Sequence, residues 1–172
     1  CQTFSGSWGY HRDEASWKSP EQLVHMLIDT VSKGGNLLLN VGPTARGEFD
    51  ERALSRLAAM GEWMRRHGRA IYGCTQAPAE FPVPQDCRLT WNPETRRLYV
   101  HLLAWPFQHL HLDGLAGRVA YAQLLNDASE VPSGLGREAT IQKVNMGEGT
   151  LTLRLPVQKP NVLVPVVELF LK

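Results

Sequence analysis

Residues 32–43 read Ser-Lys-Gly-Gly-Asn-Leu-Leu-Leu-Asn-Val-Gly-Pro. The pair of glycines is typical of a helix end, because glycine readily adopts the left-handed conformation that follows many helices. The apolar run after it predicts a short strand over residues 36–41, buried on both faces as in a parallel sheet that helices cover. Gly42 and Pro43 then begin a turn-rich loop at the carboxyl end of this strand.

A helix is predicted on each side of the strand. Ser19 and Pro20 form a helix start, a serine cap followed by proline at the first helical position. Asp50 caps the second helix, which is expected to end at His67 and to turn inward the side chains of Leu54, Leu57, Ala58, Gly61 and Met64. Helix, strand and helix together predict the last βα portion of a (β/α)8-type barrel over residues 1–75. Alone, this portion leaves the strand uncovered, so the remainder of the barrel is expected as a partner.

The pattern changes to period two over residues 76–172. Residues 88–91 and 98–103 flank a turn at 92–95 and predict a hairpin. Further strands are expected at 109–112, 119–125, 139–144, 151–155 and 162–171. Many short strands at this spacing predict a second domain, an antiparallel β-sandwich.

Composition narrows the function classes. The chain has 172 residues, 43% of them apolar and 20% charged, which is ordinary for a globular protein. A net charge of +1 gives no reason to expect nucleic acid or an anionic membrane as a partner. Cys74 and Cys87 are near enough in sequence for a disulfide, but the three cysteines match no metal-site spacing. Because the chain starts at Cys1 without a methionine, we expect a longer parent protein.

The loop before the first helix concentrates candidate binding residues: Trp8, Tyr10, His11, Asp13 and Glu14. An aromatic ring offers a flat apolar face to the C–H groups of a sugar, while charged neighbours bond its hydroxyls. The alternative is a surface loop whose rings pack and whose charges are solvated. We favour this alternative for the histidine and the two carboxylates, and both interpretations stay open for Trp8.

Other candidates have simpler structural explanations. Asn40 either points toward a ligand or satisfies backbone groups at the strand end, and the second role is favoured. His109 and His111 alternate on one strand face, as two metal ligands do, but no cysteine or carboxylate of suitable spacing joins them. Trp91 and Trp105 are expected to pack in a core or between domains rather than to form a carbohydrate platform. The sequence contains no recognisable set of nucleophile, base and acid.

Four segments closely resemble the α-L-fucosidases of glycoside hydrolase family 29. They are Cys-Gln-Thr at 1–3, Ser-Trp-Gly-Tyr at 7–10, Ser-Pro-Glu at 19–21 and the run at 31–43. The similarity covers nearly the whole chain and is strongest over residues 7–73. It implies a catalytic barrel followed by a C-terminal β-sandwich, in agreement with the two halves predicted from the residues.

The resemblance also implies a function. The full-length protein would be a retaining exo-α-L-fucosidase that removes terminal fucose from glycans, and the rival is a non-catalytic carbohydrate-binding or structural module derived from such an enzyme. The nucleophilic aspartate and the acid/base glutamate would lie upstream of Cys1, so the chain alone is expected to hold no catalytic residue and to be inactive. Trp8 matches the family position whose ring packs beside the C6 methyl group of fucose. The family implies no metal or cofactor, and a secreted, periplasmic or lysosomal location.

Overall fold

In a computed structural model, residues 1–134 and 149–172 are described, so the strand predicted at 139–144 lies outside the described residues. Two helices, α1 (Pro20–Ser32) and α2 (Glu51–His67), begin at the predicted caps. The Ser19 hydroxyl accepts a hydrogen bond from the backbone amide of Gln22, whose side chain bonds back to the cap. The Asp50 carboxylate accepts from the amides at the start of α2. Both predicted helix starts are therefore confirmed.

The buried face of α2 differs from the predicted one. Ala53, Trp63 and His67 are buried, whereas Leu54 is half exposed. The Trp63 indole N–H donates to the carbonyl oxygen of Val164 at 2.8 Å, which fixes that stripe against the sheet described below. The predicted inner face was wrong for Leu54, Ala58 and Gly61, which are exposed, whereas Met64 packs against the same buried cluster as Trp63. Helix α2 carries two apolar stripes, and periodicity alone does not say which one is covered.

A short parallel pair replaces the predicted buried strand. Strand β1 (Gln2–Thr3) lies beside β2 (Leu39–Asn40) in parallel. The prediction of a strand over residues 36–41 was wrong in extent, since only Leu39 and Asn40 are paired. The physical reason is that β2 has one strand beside it, and β1 is long enough to pair only two of its residues. The side chain of Leu38 is 68% exposed, as expected for this portion without the remainder of the barrel. The barrel itself stays a prediction.

Among the described residues after α2 there are seven strands: β3 (Thr75–Gln76), β4 (Cys87–Asn92), β5 (Arg97–Leu102), β6 (His109–Leu112), β7 (Val119–Leu124), β8 (Leu151–Arg154) and β9 (Val166–Leu171). Five of them make an antiparallel sheet in the order β3-β4-β5-β9-β7, and β6 pairs with β8 in a second antiparallel sheet. The predicted hairpin is present as β4 and β5. Two packed antiparallel sheets are consistent with the predicted sandwich. The division at residues 75/76 stays a prediction, although it falls inside β3, which pairs with β4.

Both faces of the five-stranded sheet are buried, by different layers. Along β5, Leu98, Val100 and Leu102 point into a core shared with the β6–β8 sheet. Tyr99, between them, joins a second core in which α1 and α2 pack on the opposite face. Successive side chains of a strand point to opposite faces of the sheet. The side chains of β5 therefore pack alternately into the two cores. We call the side covered by the helices the helix-side face.

Two histidines lie buried on the helix-side face. His101 Nε2 is 2.8 Å from the hydroxyl oxygen of Thr90. Because the Thr90 hydroxyl donates its proton to the carbonyl oxygen of Ala70, the imidazole N–H is the donor in the bond to Thr90. His67 Nδ1 is 2.9 Å from the carbonyl oxygen of Trp63 and its ring stacks on that indole. Burial lowers the pKa of His101 to about 3 and also lowers the pKa of His67. Both side chains are therefore neutral at pH 7.

The cysteines are free thiols, so the disulfide considered between Cys74 and Cys87 is not formed. Within the described part of the chain, neither helix combines the length and the hydropathy that crossing a membrane requires.

Candidate functional site

The candidate site lies where the parallel pair ends. Strands β1 and β2 run in the same direction, so their carboxyl ends open at the same edge. The loop at residues 4–18 leaves β1 there, and the loop at 41–50 leaves β2. In α/β folds, ligands bind at this end of the strands. The topology thus places the loop that contains Trp8 at the edge where a ligand contact is expected.

Trp8 presents its ring to solvent while its backbone is held. The side chain is 61% exposed, and that of the nearby Tyr10 is 40% exposed. The Asn40 side-chain amide donates to the carbonyl oxygen of Trp8 at 2.6 Å, which ties the loop to the end of β2. This is the structural role favoured for Asn40 from the sequence. The result is an unstacked aromatic ring on an anchored backbone, an arrangement that suits contact with the apolar side of a sugar.

Gly42 lets the two loops approach closely. A Cβ atom at this position would lie 2.4 Å from the Tyr10 amide nitrogen and 2.5 Å from the Gly9 carbonyl carbon. At Gly9, on the other side of the contact, an added Cβ would have nothing within 4 Å. The absence of a side chain at Gly42 therefore sets the distance between the Trp8 loop and the loop that follows β2.

The side chain of Glu14 stabilises the loop by hydrogen bonds within it. Its carboxylate accepts from the backbone amide of Ser16 at 2.7 Å and from the hydroxyl of Ser16 at 2.5 Å. These bonds, the hydroxyl first, hold the pKa of Glu14 below its ordinary value. A general acid at neutral pH needs a raised pKa, so this carboxylate is poorly suited to protonate a leaving group.

Two arginines of α2 contact the loop at residues 4–18 and hold it against the helix. Arg52 donates to the carbonyl oxygen of Glu14 at 2.9 Å and pairs with the helix cap Asp50. The guanidinium groups of Arg52 and Arg56 lie 5.0 and 5.1 Å from the ring centre of Trp17. Sequence reasoning missed this brace. The spacing of the two arginines, one helical turn apart, was visible, but the partners come from a segment almost forty residues earlier.

The remaining candidates do not join the site. Asp13 forms an exposed pair with Arg12 at 3.4 Å, as expected of a solvated charge. His109 and His111 stack on β6, and His111 Nδ1 lies 2.9 Å from the Thr152 hydroxyl. Among residues 1–134 and 149–172, no group of three or more histidine, cysteine or acidic side chains is placed to hold a metal ion.

Trp91 and Trp105 pack against the core between the two sheets, which is the packing role favoured for them.

Both the sequence and the fold are similar to those of known proteins. The α-L-fucosidase family profile matches residues 1–69. The chain matches a fragment of an α-L-fucosidase. Human plasma α-L-fucosidase is 39% identical over 110 residues, 62% of this chain and 24% of that protein. The chain thus spans about a quarter of the length of the plasma α-L-fucosidases that it matches.

Solved α-L-fucosidase structures match almost the entire chain. Isoenzyme 1 from Paenibacillus thiaminolyticus superposes with a TM-score of 0.87 at 37% identity, covering 99% of this chain and 38% of that structure. A family 29 α-L-fucosidase from Bacteroides thetaiotaomicron, trapped as a covalent intermediate with 2-fluoro-fucosyl fluoride, superposes with a TM-score of 0.81 at 25% identity. It covers 99% of this chain and 37% of that structure. The similarity therefore includes both the helical part and the sheets.

Proposed function

We propose that this chain is the C-terminal portion of a retaining exo-α-L-fucosidase, which hydrolyses terminal α-L-fucose from glycans. The observation that carries the proposal is the exposed ring of Trp8, anchored at the carboxyl end of the parallel pair in a chain that matches this family. The relatives' names favour an enzyme over a binding module that has lost its activity.

A retaining mechanism supports the placement of the chemistry outside this chain. It needs two carboxyl groups about 5–5.5 Å apart, one that attacks the anomeric carbon and one that acts first as acid and then as base. The covalent intermediate trapped in the Bacteroides relative is the kind of species such a mechanism forms. Here Glu14 is bound by Ser16, Asp50 caps α2, and Asp13 faces solvent beside Arg12. The nucleophile and the acid/base are therefore assigned to a segment upstream of Cys1.

The remainder of the barrel is the partner that this assignment requires. Leu38, directly before β2, and Leu54 on α2 are large apolar side chains exposed by 68% and 51%. Further barrel strands and helices would cover both, and would also explain why the second apolar stripe of α2 is uncovered here. The substrate would then enter from the edge at which Trp8 stands.

Within that enzyme, Trp8 would form one wall of the fucose site. Fucose has an apolar side near its C6 methyl group, and an indole ring packed there binds through dispersion and loss of hydration. The wall holds its position because Asn40 fixes the Trp8 carbonyl oxygen and Gly42 keeps the two loops in contact.

The test is the substitution Trp8→Ala in the full-length parent protein, assayed on an aryl α-L-fucoside. Loss of a packed ring is expected to lower kcat/KM by about tenfold or more, corresponding to about 1.4 kcal/mol, and Trp8→Phe should restore part of it. Phe107→Ala is the matched control, because it removes another exposed ring, 81% accessible, from the loop between β5 and β6. An unchanged kcat/KM in Trp8→Ala would remove this residue from the site.

A further inference from the structure

A groove of about 470 Å³ opens on the helix-side face, beyond the C-terminal end of α2. Its floor follows strand pairing: Asn92 lies opposite Arg97, and Arg97 lies opposite Phe170. Arg69 and Tyr72, which follow α2, form the rim. Arg52, which braces the Trp8 loop, is in the first turn of α2, so the helix separates the two regions by about 25 Å at a rise of 1.5 Å per residue.

A buried carboxylate anchors one side of the groove. Glu168 is only 2% exposed, and three donors surround it. The Tyr99 hydroxyl lies 3.2 Å from Oε1, while Gln123 Nε2 and an Arg69 guanidinium nitrogen lie 2.6 and 3.1 Å from Oε2. Burial raises the pKa of Tyr99, so its hydroxyl keeps the proton that it donates. The carboxylate is thus already bonded by protein groups, and it holds Arg69 at the rim.

Arg97 is held in place by an aromatic ring and a backbone carbonyl group. Its guanidinium stacks 3.8 Å from the centre of the Phe170 ring and donates to the carbonyl oxygen of Thr95 at 2.9 Å. Tyr121 supports the same ring edge-on at 5.4 Å. Among the residues that the structure describes, no carboxylate forms an ion pair with Arg97. A guanidinium fixed in this way can bind an anion at little further cost in side-chain entropy.

Donors outnumber acceptors on this surface. Arg69 and Arg97 contribute two positive charges against the single negative charge of Glu168, which leaves one positive charge in excess. The Asn92 side-chain oxygen already accepts from the amides of Glu94 and Thr95, so the amide turns its N–H₂ end toward other partners. A neutral sugar needs acceptors for its hydroxyl protons as well as donors, whereas a carboxylate is bound by donors alone.

The rim adds an aromatic surface. The side chain of Tyr72 is 71% exposed, and it lines the groove together with the guanidinium groups. A ring beside cationic donors fits a ligand that has both a flat apolar face and an acidic group. We propose that this groove binds the carboxylate-bearing sugar residue of an acidic glycan, with Arg97 contacting the carboxylate and Tyr72 contacting the sugar ring.

The experiment compares methyl β-D-glucuronide with methyl β-D-glucoside, which has a neutral CH₂OH group in place of the carboxylate. Binding to the intact protein is followed by ligand-detected NMR titration at low salt. We expect the glucuronide to bind about tenfold or more tightly than the glucoside, and to weaken as salt is raised. Equal binding of the two sugars, or no binding of the glucuronide, would overturn the proposal without the use of any variant.

Three variants locate the binding. Arg97→Gln and Tyr72→Ala are each expected to weaken glucuronide binding by about tenfold. Arg96→Gln makes the same change of charge at the neighbouring residue, whose guanidinium bonds to the Lys172 carbonyl oxygen, and should leave binding unchanged. Thermal unfolding of each variant confirms that it is folded. Equal losses of binding in both arginine variants would show a general effect of charge and would contradict the proposal. Full glucuronide binding in Tyr72→Ala, together with an affinity for inorganic sulfate equal to that for the glucuronide, would show a site for simple anions and would also contradict it.

Discussion

The substitution Gly42→Ala tests whether contact between the two loops positions Trp8. The added Cβ would lie 2.4 Å from the Tyr10 amide nitrogen, whereas ordinary contacts at Cβ begin near 3.4 Å. The clash is with backbone, so no rotamer change relieves it, and the loops must separate by about 1 Å. A displacement of this size at a substrate contact can cost about a hundredfold in rate. Strain of this kind also lowers the free energy of unfolding by about 1–3 kcal/mol.

Gly9→Ala is the matched control, because it adds the same methyl group across the same contact with nothing within 4 Å. The assay is kcat/KM on an aryl α-L-fucoside in the full-length parent, together with urea unfolding of each variant. We expect a loss of about a hundredfold for Gly42→Ala and a much smaller change for Gly9→Ala. Equal kcat/KM in the two variants would refute the argument that the close approach positions the Trp8 wall.

Three further predictions concern the interior. His101 and His67 are neutral in the fold but bind protons in the unfolded chain below about pH 6.5. The free energy of unfolding should therefore be highest above pH 6.5 and fall as pH drops toward 3, by about 1.4 kcal/mol per pH unit for each fully titrating histidine. Equal stability in urea titrations at pH 7 and pH 5.5 would contradict this. Thr90→Val leaves the His101 N–H without its acceptor and should cost about 1–3 kcal/mol in the same assay, and a loss below about 0.3 kcal/mol would show that the bond contributes little. Burial raises the pKa of Cys74 and of Cys87 to about 11, so their alkylation at pH 8 should be slow until the chain is unfolded, whereas the exposed Cys1 serves as an internal reference. Fast labelling of Cys74 or Cys87 in the native chain, located by peptide mapping, would disagree.

Features that depend on a few neighbouring residues were predictable. Ser19 and Asp50 satisfy amides two or three residues ahead, so the helix starts are determined by local chemistry. The hairpin of β4 and β5 is likewise determined by the turn at residues 92–95.

Features that depend on distant partners were not predictable. The choice of buried face on α2 depends on Val164, a hundred residues from Trp63, which accepts its indole N–H. The shortness of β2 depends on β1, which is only two residues long. The brace of Arg52 under the Trp8 loop likewise joins residues far apart in sequence. A periodic pattern shows that a face is apolar, but which neighbour covers it is a property of the tertiary fold.

The most direct test of the account compares two proteins on one substrate. The purified 172-residue chain and its full-length parent are each assayed for release of the chromophore from an aryl α-L-fucoside. Because Glu14 is bound by Ser16, Asp50 caps α2 and Asp13 forms an exposed pair with Arg12, we expect turnover by the parent and none by the chain alone. Turnover by the chain that was lost on Glu14→Ala or Asp13→Ala would contradict the placement of the catalytic pair upstream of Cys1.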